Sequence, residues 1–380
     1  MKHLINKIKL GKVISFKKRV LRKKFYFSEE NSLLVLGNET RKINKSIVAP
    51  IIRDWKGPVI SIYETEELRK ATERRRMKKG DFVIYDPLEY ISKIWGYWDI
   101  LKFLQDEEEL ASYILGELDP KIAEQEQASI MQTFAVVFWQ KFLHSTKGKT
   151  LIELPQIYTK EKKELYQWAL ENGSIFWNSL KEEEKQQVLD TIENQLILLS
   201  QFPSYENAQK MNISKLLSGK NTIYVAVPLY QDQEKVHLIL SLFIQYCLKI
   251  YETLNAKNTL LIHIDDFSQK LPFYKLNEII YYRNKTHSNF LLTSPNITKI
   301  EDVLGEDFVK KLSFVIPNII DTVNGDSLNL LKILYKTDFN FKDENIMRNA
   351  LRQIPQNYFL LYKNISNVDF KQVYYLSVND

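Results

Sequence analysis

A polar run that follows an apolar segment is the first candidate for chemistry in this sequence. Residues 32–36 (SLLVL) predict a buried strand that ends at Gly37. Phosphate-binding loops need glycines that turn backbone N–H groups inward, a lysine for the terminal phosphates and a Ser or Thr hydroxyl for magnesium. The run has its first glycine but no Gly-Lys-Ser/Thr triplet, and it consists of Gly37, Asn38, Glu39, Thr40, Arg41, Lys42, Ile43, Asn44, Lys45 and Ser46.

Two consecutive carboxylates follow a second apolar segment. Residues 260–264 (LLIHI) predict another buried strand, which ends at Asp265 and Asp266. Carboxylates at a strand end can hold a magnesium-bound water beside a nucleotide, so Asp265 is the predicted ligand if Mg²⁺ binds. An acidic turn is the simpler interpretation of this segment alone. The two polar segments nevertheless occur in the order that a nucleotide site requires.

The elements that would position these residues predict an α/β fold. Strands and helices alternate at residues 32–36, 44–55, 59–62, 68–79 and 82–85, a spacing typical of a parallel sheet with crossover helices. Helical segments without a convincing strand then fill about a hundred residues. Further strands are predicted at residues 222–227, 260–264, 290–293 and 312–316, with an antiparallel pair at residues 358–362 and 371–375.

This alternation predicts three parts of the chain. An α/β core is discontinuous, and an all-α domain interrupts it. The predicted bounds are residues 25–104 and 210–380 for the core, 105–209 for the all-α domain and 1–24 for a basic N-terminal arm.

Composition excludes several classes of protein. The 380 residues are 44% hydrophobic and include 21 Tyr, 20 Phe and 6 Trp, which excludes a largely disordered chain. No segment reaches the roughly 18 apolar residues of a membrane span, and no uninterrupted apolar centre of a signal peptide is present. One cysteine, Cys247, and five scattered histidines do not suit a His/Cys metal site.

The positive charge is concentrated at the N-terminus. Residues 1–24 contain ten Lys and Arg and no acid. Because the whole chain has a net charge of +6, the remaining residues have a net charge of −4. This arm could meet nucleic acid or an anionic membrane, as an amphipathic helix, or it could be a solvated tail or a strand that begins the core sheet. The candidate contacts are Lys17, Lys18, Arg19, Arg22, Lys23 and Lys24.

A second basic run is predicted to be an exposed helix face, because Glu66, Glu67 and Glu73 surround it. The run consists of Arg74, Arg75, Arg76, Lys78 and Lys79. Cys247 is predicted to lie in the core, and His263 to be a hydrogen-bonded structural histidine.

Taken in order, several segments resemble the TraG/TraD-type coupling proteins of type IV secretion, the hexameric motor ATPases of conjugative DNA transfer. The segment SLLVLGNETRKINKSIVAPIIRDWKGPVISIYETEEL resembles the opening strand, Walker A loop and second strand of that family. LLIHIDDFSQKLPFYKLNEIIYYRN resembles its Walker B strand and the following helix, and LLTSPNITKIEDVLGED resembles the next strand. YDPLEY…WGYWDIL and MNISKLLSGKNTIYVAVPLYQ resemble the segments that flank its all-α domain. The resemblance covers about residues 25–375 and implies a RecA-like P-loop motor core with a mainly parallel sheet, interrupted by an all-α domain.

The departures from the family concern the nucleotide site. The resemblance places Ile43 at the Walker A lysine, Asn44 at the Ser/Thr, Asp266 at the catalytic Glu and Thr293 at the Gln that senses the γ-phosphate. It leaves Asp265 as the Walker B carboxylate. Thr40 and Lys42 replace glycines, Arg283 falls where a subunit-bridging arginine could lie, and the membrane helices usual in the family are not predicted. Isoleucine brings no charge to a phosphate, and Cβ atoms obstruct the backbone nest. We therefore expect no cofactor.

These departures lead to three hypotheses of function. The first is a nucleotide-site-degenerate component of conjugative DNA transfer that recruits a DNA–protein substrate. Its partners would be DNA or a relaxase–DNA complex, secretion components or a paralogous active motor, in a homo- or hetero-hexamer in the cytoplasm or at the inner face of the membrane. The second is a divergent ATP- and Mg²⁺-dependent DNA translocase in which Lys42 or Lys45 replaces the missing lysine. The third is a basic-armed adaptor for nucleic acid or a membrane surface.

Overall fold

The structure is a computed structural model. It describes residues 7–15, 23–28, 32–88, 96–116, 127–173, 177–202, 210–227, 233–254, 256–270, 287–305, 309, 316, 318–322, 327, 330, 358–363 and 373–377. These residues divide into two compact units. The first comprises Met1–Tyr85, Asn212–Tyr230 and Cys247–Asp380, and the second comprises Asp86–Met211 and Gln231–Tyr246.

The first unit is built on an eleven-stranded sheet with the order β2-β1-β11-β10-β9-β3-β8-β7-β4-β6-β5. The seven strands from β9 to β5 are parallel, and the other four are antiparallel. The strands are β1 (Lys7–Ser15), β2 (Lys23–Ser28), β3 (Leu33–Leu36), β4 (Val59–Tyr63), β5 (Phe82–Tyr85), β6 (Thr222–Ala226), β7 (Leu260–Ile264), β8 (Ser288–Ser294), β9 (Asn318–Asp321), β10 (Tyr358–Lys363) and β11 (Val373–Ser377). The predicted α/β class with a mainly parallel sheet is confirmed.

The central parallel strands are buried along their whole length because both faces of the sheet are covered. Every residue of β3, β4, β7 and β8 is buried. The described helices of this unit are α1 (Thr40–Ile43), a π-helical turn (Asn44–Val48), α2 (Ala49–Asp54), α3 (Glu66–Met77), α9 (Ile213–Ser218), α11 (Phe267–Lys270) and α12 (Ile297–Leu304). As predicted, Cys247 is buried in the core, where desolvation raises the pKa of its thiol.

The basic N-terminal segment supplies two strands to the sheet. Strand β1 pairs antiparallel with β11, for example Ile14 with Tyr375, and also with β2, for example Ile8 with Phe27. An amphipathic helix is therefore wrong for residues 7–15, and the alternative of a strand in the core sheet is confirmed. Residues 312–315, where another strand was predicted, lie outside the described part, and β9 follows at Asn318–Asp321.

The second unit is helical. Its helices are α4 (Ile100–Asp106), α5 (Glu108–Leu115), α6 (Ala128–Ser145), α7 (Leu154–Asn172) and α8 (Glu182–Ser200), with 3₁₀ turns at Leu151–Glu153 and Trp177–Ser179, and it includes most of α10 (Gln233–Thr253). Aromatic rings form its core, with Phe134 stacked on Trp177 at 3.8 Å between centroids. No helix among the described residues has both the length and the apolar content to cross a bilayer.

The bounds of the helical unit differ from the predicted residues 105–209. Trp98 explains much of the difference, because its ring packs on Phe103 at 5.2 Å, Phe243 at 5.3 Å and Tyr246 at 5.6 Å. This cluster brings residues before 105 and a segment near 240 into the unit. A contact that joins residues so distant in the chain leaves no local signal in the sequence.

The basic run on α3 is not a uniformly exposed face. Arg76 is fully buried (0% exposed), and all five of its hydrogen bonds go to uncharged oxygens. Its guanidinium donates to Thr222 Oγ1 at 2.7 Å and to four backbone carbonyls, those of Trp55, Gly57, Lys220 and Asn221. Arg76 thus ties α3 to the segments that precede β4 and β6, so the prediction of a solvated face is wrong for this residue.

Candidate functional site

The candidate site lies where four parallel strands end. Strands β3, β8, β7 and β4 are consecutive neighbours in the sheet, so their carboxyl ends meet at one edge. Ligands of open α/β sheets bind beyond this edge. A cavity of about 30 Å³ lies there, enough for one or two water molecules. It is lined by Gly37, Thr40, Ile43, Glu64, Asp265, Asp266, Thr293, Ser294 and Pro295.

Gly37 is required by a close approach. A Cβ atom at this position would overlap the side chain of Thr322, which follows β9. The Gly37 N–H donates to the carbonyl of Ser294 at 2.9 Å, which joins the end of β3 to the end of β8. The glycine therefore serves strand packing at this edge of the sheet.

The run after Gly37 is mostly helical rather than a loop. Only Asn38 and Glu39 separate Gly37 from α1, which begins at Thr40, and the helical path continues through the π turn into α2. The Ile43 N–H bonds the Glu39 carbonyl at 3.0 Å, as a helix requires. A loop is wrong for residues 40–43, where α1 forms, whereas the helix predicted from residue 44 onward is observed. Glycine disfavours a helix, and this run has only one glycine, at its first position. The run therefore forms a helix where a glycine-rich sequence would form a loop.

The residues at the Walker A positions differ in their surroundings. Ile43 is buried and lines the cavity with a hydrocarbon side chain. Asn44 is 8% exposed, and its Oδ1 has no hydrogen-bond partner among the described residues. Lys42 pairs with Glu39 at 3.2 Å, Arg41 pairs with Glu67 at 3.6 Å, and Lys45 is exposed. None of these three cations is among the cavity-lining residues.

Thr293 bridges two strand ends. Its Oγ1 donates to Asp265 Oδ1 at 2.9 Å and accepts from the Asp266 backbone N–H at 2.9 Å. Asp265 is buried, and its own N–H donates to the Ile62 carbonyl at 3.0 Å. The structure therefore brings together three residues that sequence reasoning assigned to the site, and it gives the Thr293 hydroxyl two bonds within the protein.

Both carboxylate oxygens of Asp266 accept hydrogen bonds from side chains. Ser268 Oγ donates to Oδ1 at 2.8 Å, and Lys299 Nζ lies 3.0 Å from Oδ2. The backbone of Asp266 has φ = 41°, in the left-handed region where Asp is one of the more tolerant residues. The carboxylate at the catalytic position is thus engaged by Ser268 and Lys299.

Sequence reasoning missed Glu64 and Lys299. Glu64 follows β4 directly, is half-buried and lines the cavity. The sequence feature that could have identified Glu64 is an acidic residue directly after a strand, which is the feature that identified Asp265. Lys299 lies 33 residues after Asp266, and no pattern in the sequence joined the two.

The charge of the cavity lining determines how well it suits a magnesium–nucleotide complex. Its lining includes three carboxylates, those of Glu64, Asp265 and Asp266, and no lysine or arginine. Within the described ranges, no group of three or more His, Cys, Asp or Glu side chains has the arrangement of a metal site. A triphosphate is strongly anionic and is repelled by carboxylates, and Lys299, which pairs with Asp266, is not among the lining residues.

The remaining predicted residues lie elsewhere. Arg283, Lys17, Lys18, Arg19 and Arg22 are outside the described residues, and Lys23 and Lys24 belong to β2. His263 is buried in β7 with its Nδ1 3.0 Å from Ser61 Oγ of β4, which confirms the prediction of a hydrogen-bonded structural histidine.

No family model and no curated protein matches this sequence significantly. Solved structures do match. A bacterial conjugative coupling protein, TrwBdeltaN70 with sulphate, aligns over 92% of this chain and 86% of its own, with 13% identity and a TM-score of 0.59. The plasmid coupling protein TrwB with ADP and Mg²⁺ aligns over 92% and 85%, with 10% identity and a TM-score of 0.64. VirB4 of Thermoanaerobacter pseudethanolicus aligns over 97% and 96%, with 10% identity and a TM-score of 0.54. The chain therefore has the fold of TrwB and VirB4, a RecA-like motor core interrupted by helices.

Proposed function

We propose that this chain is a coupling-protein-like component of conjugative DNA transfer or type IV secretion that acts as a scaffold or partner subunit without binding nucleotide. Two kinds of observation support the proposal. The fold aligns over 86% of the TrwBdeltaN70 chain, a conjugative coupling protein, and over 96% of the VirB4 chain. The cavity at the strand ends has no lysine or arginine among its lining residues.

The charge of the cavity carries the proposal. Three carboxylates line it, and the cations near it are paired: Lys299 with Asp266, Lys42 with Glu39 and Arg41 with Glu67. A phosphate-binding loop works because backbone N–H groups and a lysine converge on the phosphates. Here helix α1 begins three residues after Gly37, and Ile43 offers hydrocarbon where the lysine would lie. The missing lysine weakens the binding of the anionic part of a nucleotide.

The proposed partners follow from the same fold. A subunit that keeps a motor fold without its ligand can still pack against active copies in a ring, or recruit a substrate to them. We propose DNA or a relaxase–DNA complex, secretion components and a paralogous motor as partners, with residues 17–24 as a contact for nucleic acid or an anionic membrane surface. Light scattering of the chain alone and mixed with an intact motor subunit measures whether a mixed ring forms.

The deciding experiment is equilibrium binding of a fluorescent ATP analogue with Mg²⁺, followed by phosphate release with single-stranded and duplex DNA present. We expect no saturable binding and no release above background. The matched control is the variant Thr40→Gly, Lys42→Gly, Ile43→Lys, Asn44→Ser, which restores the glycines, lysine and hydroxyl.

Saturable binding by the wild type, with turnover of about one per second that Asp265→Asn removes, overturns the proposal. That result supports instead a divergent translocase in which Lys42 or Lys45 serves the phosphates. Binding of DNA or vesicles that depends on residues 17–24 alone, with no association with a motor subunit, supports the adaptor hypothesis.

A further inference from the structure

The structure assigns to Lys299 the positive charge that pairs with the strand-end carboxylate of Asp266, and this ion pair excludes a divalent cation from the site. This inference rests on the proposed function, because it names the residue that satisfies the site in the absence of magnesium and nucleotide. The inference states which ligands the site prefers, because the ammonium group of Lys299 already occupies it.

The first observation is the saturation of Asp266. Lys299 Nζ lies 3.0 Å from one carboxylate oxygen, and Ser268 Oγ lies 2.8 Å from the other. The side chains are little exposed, at 13% for Asp266 and 28% for Lys299. A carboxylate in this environment loses most of its hydration, so it depends on the ammonium group for its charge balance. A metal ion must displace that group to bind.

The second observation is the position of Lys299 in its helix. Asn296 caps α12 by accepting the Lys299 backbone N–H at 2.7 Å, so Lys299 lies in the first turn. A cation in the first turn of a helix opposes the helix dipole. The lysine is therefore poorly placed for its own helix and well placed for Asp266, which indicates that the ion pair fixes its position.

The third observation is the network around the pair. Ser268 Oγ also lies 3.1 Å from Ser294 Oγ, and the Asp266 N–H bonds Thr293 Oγ1 at 2.9 Å. Asp266 thus connects the end of β7 to the end of β8 and, through Lys299, to α12. Loss of the ammonium leaves a mostly buried carboxylate without a cation in the middle of this network.

A double-mutant cycle tests the ion pair. The variants are Lys299→Met, Asp266→Asn and their combination, and the measurement is the unfolding equilibrium constant from urea titration. Lys185→Met is the matched control, because Lys185 is also little exposed and pairs with Glu182 at 2.7 Å within one helix turn. We expect Lys299→Met to raise the unfolding constant at least tenfold more in the wild type than in the Asp266→Asn background. Equal effects in both backgrounds overturn the inference.

Binding of Mn²⁺ alone, followed by its electron paramagnetic resonance signal, tests the exclusion of a cation. We expect Lys299→Met to bind Mn²⁺ at least tenfold more tightly than the wild type and Lys185→Met. If Lys299→Met does not fold, Lys299→Gln keeps a polar side chain without the charge and takes its place. No gain in Mn²⁺ affinity in the folded variant overturns the inference. Nucleotide binding by the wild type would instead overturn the proposed function, so the two failures are distinguishable.

Discussion

The hydroxyl of Thr293 holds Asp265 and the backbone of Asp266 at once, with a donor bond of 2.9 Å to the first and an acceptor bond of 2.9 Å from the second. The resemblance to coupling proteins predicted these three residues as the Walker B carboxylate, the catalytic position and the γ-phosphate sensor. In this chain the same residues bond to one another. These bonds connect two adjacent parallel strands, and their contribution to the free energy of unfolding can be measured.

Thr293→Val should destabilise the fold. The substitution keeps the shape of the side chain but leaves the buried Asp266 N–H and an Asp265 oxygen without this partner, which costs about 1–3 kcal/mol for a buried group left unpaired. Urea unfolding measures the change. Thr293→Ser keeps the hydroxyl and serves as the control, with a loss of about 1 kcal/mol from the missing methyl group. Equal losses for the two variants would contradict a bridging role of the hydroxyl.

Arg76→Met should cost more than any exposed substitution on the same helix. Five acceptors lose their bond to Arg76, four of them backbone carbonyls, and we expect a loss of about 3 kcal/mol or more in the free energy of unfolding. Arg76→Lys keeps the positive charge, but its ammonium group cannot reach all five acceptors. The loss in the free energy of unfolding should therefore be intermediate.

The control for Arg76 is Arg74→Gln, since Arg74 is exposed on the same helix. Its effect should stay within about 0.5 kcal/mol. Thermal and urea unfolding of the three variants give the comparison. A loss for Arg76→Met no larger than that for Arg74→Gln would show that the buried guanidinium does not tie α3 to β4 and β6.

Much of the sheet could be predicted, because the central strands of a parallel sheet are short apolar runs that end in turns. Strands β3, β4, β5, β6 and β7 were found in this way. Strands β1 and β2 were harder to predict because their apolar residues alternate with lysines, as edge or solvent-facing strands allow. Their hydrogen-bonding to the sheet depends on β11, more than 350 residues away in the chain.

Part of the site could be predicted from the sequence, but the contacts between its side chains could not. Asp265, Asp266 and Thr293 were identified by position, whereas Glu64 and Lys299 were not. The path after Gly37 was wrong because the interpretation assumed a loop where a helix forms. Arg76 has the sequence context of an exposed helix, and its burial is explained by distant acceptors such as Thr222, 146 residues away.

Lys79 should make stability depend on pH. Burial lowers the pKa of its ammonium group from 10.5 to about 8, with a further contribution from the nearby Arg76 guanidinium, while its Nζ donates to the Trp55 carbonyl at 2.8 Å. Because the pKa is lower in the folded state, the unfolded chain binds more protons between these two values. The free energy of unfolding contributed by this group therefore rises as the pH increases from about 8 toward 10.

Lys79→Gln removes that contribution, so the stability of the wild type relative to this variant should increase between about pH 7.5 and about pH 9.5. Tyr224 does not interfere in this window, since burial raises its pKa to about 12. Lys78→Gln, at an exposed neighbouring position, is the control. A stability difference between wild type and Lys79→Gln that stays constant with pH would contradict the prediction.

Deletion of residues 1–24 should damage the fold rather than merely remove a charged tail. The deletion removes all of β1 and the first two residues of β2, and it leaves β11 without the strand that pairs with it on that side. A strand edge that loses its partner is a template for aggregation. We expect most of the truncated protein to be insoluble, or to unfold at a clearly lower temperature than the full chain.

The control is Lys17→Gln, Lys18→Gln, Arg19→Gln, Arg22→Gln in the full chain, which removes four charges between the two strands and should unfold like the wild type. That control also gives a folded protein in which binding to DNA and to anionic vesicles can be compared with the wild type. A soluble deletion variant with an unchanged unfolding temperature would show that β1 contributes little to the stability of the sheet.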